Sequence, residues 1–274
     1  MSIEQPYPAL DEFLVAIGEA GQRLSEIEAS EGAAGNISVY LGWPVEVRRK
    51  FPLVERIDLP APAPALAGGA ILVSGSGRRL REIISDPAAN LGCVVIGEEG
   101  RTGQLYTSPR RLFSRLTSEF NSHLAVHQDQ VSATGTNFHA VVHAQPIHIT
   151  YLSHIPRYRD ETYLNTHLLR WEPETIINLP EGIGCVPFQV PGSPQMMAGN
   201  IASLRGHRVV VWSKHGVMAR SDTSVKRAAD RIEYAETGAH YEYMNLVNGE
   251  KGEGLTSDEI RLICKEFGIQ QSIF

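Results

Sequence analysis

Residues 138–148 constrain the fold more than any other stretch of this chain: Phe138-His139-Ala140-Val141-Val142-His143-Ala144-Gln145-Pro146-Ile147-His148. An apolar run ends in a histidine, and Pro146 suits the first turn of a helix that follows. The run reads as a strand through Val141-Val142-His143. Side chains two apart on an extended segment point to the same side, so His143 and Gln145 share a face at the strand's end. That is how one strand end offers two residues to one metal ion. A third ligand candidate, His215, lies far downstream in Ser213-Lys214-His215-Gly216-Val217, and Glu119 lies upstream in Leu116-Thr117-Ser118-Glu119. The chain carries 10 histidines, so any one of them is more ordinarily a core or surface side chain. The combination is what singles these out.

The elements around this run describe an α/β protein. Leu10, Phe13, Leu14, Ile17 and Leu24 recur at helical spacing, which predicts an amphipathic helix over 9–29, broken by Gly32 and Gly35. Asn36–Leu41 alternates as a strand, and 42–68, rich in Pro and Ala, reads as an irregular excursion. Ala70–Val73 is a short buried strand followed by Gly75-Ser76-Gly77. Residues 92–108 form a ribbon turning at Glu98-Glu99-Gly100. Thr117 or Ser118 caps a helix running through His127, with Glu119 in its first turn. Ile176–Leu179 and Val209–Trp212 read as further strands, and 223–247 as a long helix. Thr256-Ser257-Asp258-Glu259 is a capping box opening a last helix to Phe267, stopped by Gly268.

No repeat, low-complexity tract or linker interrupts the 274 residues, which suffice for one large α/β domain. Hydrophobic residues make up 42% and charged residues 20%, enough for an ordinary globular core. The net charge is −6 and no segment carries a basic stripe, which argues against a nucleic-acid partner. Cys93, Cys185 and Cys264 lack CxxC spacing, as expected of reduced thiols in the cytoplasm. The first thirty residues carry acids and no continuous apolar core, so no signal peptide is expected. No apolar run approaches the ~20 residues of a membrane span. The Gly75-Ser76-Gly77 turn lacks a GxGxxG pattern, so a Rossmann dinucleotide site is not expected.

In their order along the chain, Glu119, Val142-His143-Ala144-Gln145 and Lys214-His215-Gly216-Val217 resemble the zinc-dependent class II aldolase/adducin-type family of sugar-phosphate aldolases and epimerases. Val73-Ser74-Gly75-Ser76-Gly77, the run Asp86-Pro87-Ala88-Ala89-Asn90-Leu91-Gly92 and the length resemble, within that family, its rhamnulose-1-phosphate aldolases. The likeness runs from about residue 10 to the C-terminus. It implies a single domain over 1–274, built on a central, largely antiparallel sheet flanked by helices. It also implies one Zn²⁺ per subunit and a homotetramer with active sites between subunits.

The resemblance assigns the site residue by residue. His143 and His215 match metal ligands, and Gln145 stands where the family has a second histidine. An amide oxygen is a weaker, neutral zinc ligand than imidazole. Three arrangements follow: Gln145 ligates through its oxygen, His148 swings in, or the site is weakened. Glu119 matches the residue that touches the metal and serves as acid and base; the plainer reading is a carboxylate stabilised at a helix start. Asn36, Ser76, Gly77, Thr117 and Ser118 match the positions that hold the substrate phosphate, and small donors at turns and helix starts suit an anion. A further family Asn falls near Ala33, and Arg78, Arg79 or Arg81 stand close enough in sequence to compensate. Glu172 or Glu174 matches a carboxylate that reaches a neighbouring subunit's site; either is equally a solvated loop charge.

The activity implied is a lyase reaction: L-rhamnulose 1-phosphate cleaved through an enediolate to dihydroxyacetone phosphate and L-lactaldehyde. The alternatives are another sugar-phosphate aldolase or pentulose-phosphate epimerase on the same fold, or a non-catalytic adducin-like interaction protein. Gln145 and Ala33 are the features that favour the last.

Overall fold

A computed structural model of the chain describes residues 2–274. In chain order the elements are α1 (Leu10–Glu26), β1 (Asn36–Leu41), β2 (Leu53–Asp58), β3 (Ala70–Ser74), α2 (Pro87–Asn90), β4 (Leu91–Ile96), β5 (Thr102–Thr107), α3 (Phe120–Thr134) and β6 (Phe138–Ala144). They continue with α4 (Ile147–Leu152), α5 (Glu161–Leu168), α6 (Pro173–Asn178), β7 (Gly184–Val186), α7 (Pro194–Gly206), β8 (Val209–Trp212), β9 (Gly216–Ser221), α8 (Val225–Val247) and α9 (Ser257–Phe267).

The strands form one 9-stranded sheet in the order β2-β5-β4-β3-β1-β6-β9-β8-β7. Every pairing is antiparallel except β7 with β8. This is the largely antiparallel sheet with flanking helices that the family likeness implied. The central strands are buried on both faces, so each residue step chooses between two cores. Ile37, Val39 and Leu41 of β1 and Ala140, Val142 and Ala144 of β6 meet α1 and α8 on one face. Tyr40 of β1 and Val141 of β6 belong to apolar clusters that include Leu124 and Val126 of α3 on the other. Strand β6 therefore sends His139, Val141 and His143 toward α3, by the period of two that pleating imposes. No helix among the described residues is long and apolar enough to cross a membrane.

Three sequence expectations change. Ile176–Leu179 lies largely in α6 rather than in a strand: a four-residue apolar run does not distinguish the two, and Pro173 at the first helical position starts a helix. Within 42–68 lies β2, whose side chains are almost all exposed because it is an edge strand held to β5 by backbone pairing. Helix α3 begins at Phe120, so Glu119 is its cap residue rather than part of its first turn, and the helix runs on to Thr134, ended by Gly135 at φ 66°. Elsewhere the correspondence is close. The Thr256/Glu259 capping box and Gly268 terminator of α9 are both present, as is the long helix α8.

Candidate metal centre and anion cavity

The site forms where three separate chain segments meet at one end of β1 and β6. Asn36 opens β1 and pairs with His143 near the end of β6, so register alone sets these two side by side on the α3 face. After β3 the chain turns through Gly75-Ser76-Gly77 and is bridged to the segment entering α3. Gly75 pairs with Leu116, the Ser76 N–H donates to the Arg115 carbonyl at 2.9 Å, and the Thr117 N–H donates to the Ser74 carbonyl at 3.1 Å. Gly75 is required here, since a Cβ would stand 2.2 Å from the Phe113 ring. The third segment is the tight β8–β9 turn. Lys214 adopts a left-handed φ of 65°, and the His215 N–H donates to the Trp212 carbonyl at 2.9 Å.

Ala33, Gly35, Asn36, Ser76, Gly77, Thr117, Ser118, Glu119, His143, Gln145 and His215 thereby line a single cavity of about 200 Å³. Every residue expected to hold metal or phosphate is there. Gly35, at φ 83°, lets the loop pass close: a Cβ would lie 2.8 Å from the His143 carbonyl oxygen. Glu172 and Glu174 do not line this cavity; they lie at the start of α6. Burial, then the neighbouring Glu174, raises the Glu172 carboxyl above its usual range.

Glu119 stands at the centre. Its carboxylate is 4% exposed, accepts from the Asn36 amide at 2.7 Å, and lies 3.6 Å from His143 Nε2 and 3.9 Å from His215 Nε2. Burial pushes this carboxyl up, but His143, the Asn36 hydrogen bond, His215 and His123 outweigh it and hold it below the usual range. His215 is pushed down to about 4, by burial first and His143 second, against the pull of Glu119. One ligand atom each from Glu119, His143 and His215 lies within 4.8 Å of the others, a nitrogen–nitrogen–oxygen donor set suited to a divalent metal. His143 is oriented for that task. Its Nδ1–H donates to the Val217 carbonyl at 2.8 Å, which leaves Nε2 as a lone pair aimed at the cavity.

Gln145 turns its amide N–H onto the His215 carbonyl at 3.0 Å, so only its oxygen remains for a ligand. His148 is committed elsewhere, its Nδ1–H on Glu236 at 2.6 Å and its ring stacked on His240 at 4.0 Å. Arg78 donates to Asn90 at 2.8 Å and Glu82 at 2.6 Å, and Arg79 to Glu82 at 3.3 Å; neither lines the cavity. Asn36 lines the cavity but has both ends of its amide engaged, by Glu119 and by His123. Sequence reasoning missed His123 and its continuation through Ser38, His127 and His139. The available signal was positional: 119, 123 and 127 recur every four residues, along one face of a helix.

Comparison with known proteins identifies relatives along nearly the whole chain. A rhamnulose-1-phosphate aldolase of Bacteroides thetaiotaomicron is 27% identical over 270 residues, covering 98% of both chains. One from Yersinia pestis is 29% identical over 247 residues, covering 87% of both chains. Among solved structures, a sugar-phosphate aldolase from Thermotoga maritima superposes with a TM-score of 0.73 at 27% identity, over 89% of this chain and 98% of that one. The model of the Class II Aldolase and Adducin N-terminal domain family matches residues 15–243. With its sheet, its buried carboxylate–histidine cluster and that match along most of its length, the chain belongs to the Class II Aldolase and Adducin N-terminal domain family.

Proposed function

We propose that the protein is a metal-dependent aldehyde-lyase, acting as one domain over 1–274, that cleaves L-rhamnulose 1-phosphate to dihydroxyacetone phosphate and L-lactaldehyde. The observation that carries the proposal is the place of Glu119. One buried carboxylate faces two histidine nitrogens and follows directly on the donor turn Thr117-Ser118. The full-length likeness to rhamnulose-1-phosphate aldolases supports the choice of sugar.

In this reading His143 and His215 would hold zinc, with the Gln145 oxygen as a further neighbour and Glu119 in reach of the metal only while no substrate is bound, and the metal would supply Lewis-acid stabilisation of charge developing on the substrate oxygens. Ser76, Gly77, Thr117 and Ser118 hold the phosphate, and Asn36 serves the same pocket by fixing Glu119. Glu119, as the carboxylate, takes the proton of the hydroxyl on the carbon that becomes the aldehyde. The C3–C4 bond then breaks and its electron pair forms the enediolate. Glu119 then returns that proton to the enediolate carbon. Burial within the cavity excludes water from that step. Glu172 or Glu174 from a neighbouring subunit closes the site in a homotetramer.

A sibling sugar-phosphate aldolase or a pentulose-phosphate epimerase is the second reading, because the metal and phosphate positions are common to these enzymes. Elemental analysis run beside a panel of ketose 1-phosphates separates them. The expected result is about one divalent metal per chain and the highest kcat/KM on L-rhamnulose 1-phosphate. Preference for another ketose 1-phosphate, or epimerisation of a pentulose phosphate, selects the sibling. Full metal content in the His143→Ala, His215→Ala double mutant refutes the site. Absence of both metal and turnover selects a non-catalytic interaction protein.

A further inference from the structure

Behind Glu119 a line of buried polar groups runs between α3 and the sheet, and the catalytic reading leaves it unused. Helix α3 presents His123 and His127, strand β1 presents Asn36 and Ser38, and strand β6 presents His139. Ser38, His123, His127 and His139 are all 0% exposed. Asn36 donates to Glu119 at 2.7 Å, and its Oδ1 meets His123 Nε2 in a short hydrogen bond. His123 Nδ1 lies 2.6 Å from the Ser38 hydroxyl, which lies 2.7 Å from His127 Nε2; His127 Nδ1 lies 2.8 Å from His139 Nδ1.

The direction of every bond follows from one end. An ionised carboxylate only accepts, so the Asn36 NH₂ faces Glu119 and its oxygen faces His123. His123 Nε2 therefore carries the hydrogen. A fully buried imidazole stays neutral, with one N–H, so His123 Nδ1 accepts from Ser38. Ser38, its hydrogen spent, accepts from His127 Nε2–H, and neutral His127 accepts at Nδ1 from His139 Nδ1–H. The line ends at His139 Nε2, an acceptor with no hydrogen-bond partner among the described residues. Burial pushes His123 and His139 down to about 3, with His127 next to the first and Arg220 near the second adding to the effect.

Reversing the line would require a protonated Glu119, a flipped Asn36 amide, and a bare N–H buried at His139. A buried donor without a partner carries a full desolvation penalty. The Asn36 amide also stops the line from conducting protons, because its NH₂ cannot pass one on without leaving the amide form. Its role is orientation.

We propose that Ser38, His123, His127 and His139 are positioning residues, a one-way line of hydrogen bonds that locks the Asn36 amide with its NH₂ on Glu119 and holds that carboxylate in its working geometry. The catalytic consequence rests on Glu119 being the acid/base; the hydrogen-bond direction does not.

The test has two arms. Nitrogen-15 NMR of histidine-labelled protein at pH 7 reads tautomers directly. The expected result is Nε2–H on His123 and His127 and Nδ1–H on His139. An Nδ1–H tautomer on His123, or averaging between its tautomers, overturns the proposal, whether or not the protein is an aldolase. The second arm is kinetic. Ser38→Ala removes the donor to His123 and is expected to lower kcat about tenfold at unchanged KM, the worth of one hydrogen bond. His123→Gln, which keeps an N–H for Asn36 and an oxygen for Ser38, is expected to retain activity that His123→Leu loses. Wild-type kcat in Ser38→Ala, or equal losses in the two His123 variants, overturns the positioning role.

Discussion

Replacing Glu119 with glutamine separates chemistry from architecture at this site. Glutamine keeps the shape and still accepts the Asn36 amide hydrogen bond now made at 2.7 Å. The oxygen that accepts from Asn36 is also the one nearest His143, so the new NH₂ takes the place of Oε1 and faces His215 Nε2, 3.9 Å from the present carboxylate. That nitrogen accepts with the His215 hydrogen on Nδ1, an atom that has no other hydrogen-bond partner among the described residues. The fold cost is therefore held to about 1 kcal/mol, a few degrees in Tm. The catalytic cost is far larger, because an amide neither takes nor gives the proton. Losing general acid/base catalysis costs ~10²–10⁴ in rate, or about 3–5 kcal/mol in the barrier. The phosphate donors are other residues, so the loss is expected in kcat, with KM moving less than about threefold. The assay is release of dihydroxyacetone phosphate from L-rhamnulose 1-phosphate, with metal content measured on the same sample. Exchange of solvent deuterium into dihydroxyacetone phosphate alone checks the proton step. A metal-replete Glu119→Gln protein with kcat within about threefold of wild type would refute the argument and shift the role to Glu172 or Glu174.

Gln145→His is expected to tighten zinc binding at least about tenfold by competition with a chelating dye. A histidine there is able to donate Nδ1–H to the His215 carbonyl, as Gln145 now donates at 3.0 Å, and present Nε2 to the metal; unchanged affinity would place the residue outside the metal's reach. Folding stability is expected to fall on acidification. His123, His127 and His139 have folded pKa values below that of the unfolded chain. The unfolded state therefore takes up protons first, so their contribution is intact above pH ~6.5 and is lost as pH drops toward the folded values, at about 4 kcal/mol per pH unit for the three together. Urea midpoints at pH 7, 6 and 5 check this, and a flat profile would mean that the three rings are not held neutral. Light scattering at assay concentration is expected to give a homotetramer; a monomer would remove any role for Glu172 or Glu174 across an interface.

How much was legible in the sequence depended on the range of the interaction. Capping and periodicity are local, so α1, α8 and α9 were visible from residues a few positions apart: Thr256 with Glu259, or Leu10 with Leu14 and Ile17. The i, i+2 geometry that placed His143 and Gln145 on one face is equally local. Where local signals conflict or vanish, the sequence misled. The apolar run at 176–179 carries no period that tells helix from strand. The Leu53–Asp58 strand exists because β5 offers its backbone, and its own exposed side chains give no sign of it.

The candidate ligands and anion turns were named with the help of the family resemblance, because each is a short motif that is recognisable out of context. Their meeting in one cavity was decided by the sheet. Antiparallel register sets Asn36 opposite His143, and the Gly75–Leu116 bridge ties the two donor turns together. The line from Glu119 to His139 belongs wholly to tertiary structure. Its members sit on a helix and two strands, and the direction of each bond follows from a carboxylate at the cap of that helix. No window of sequence contains that information, because a hydrogen-bond direction is a property of partners brought together by packing.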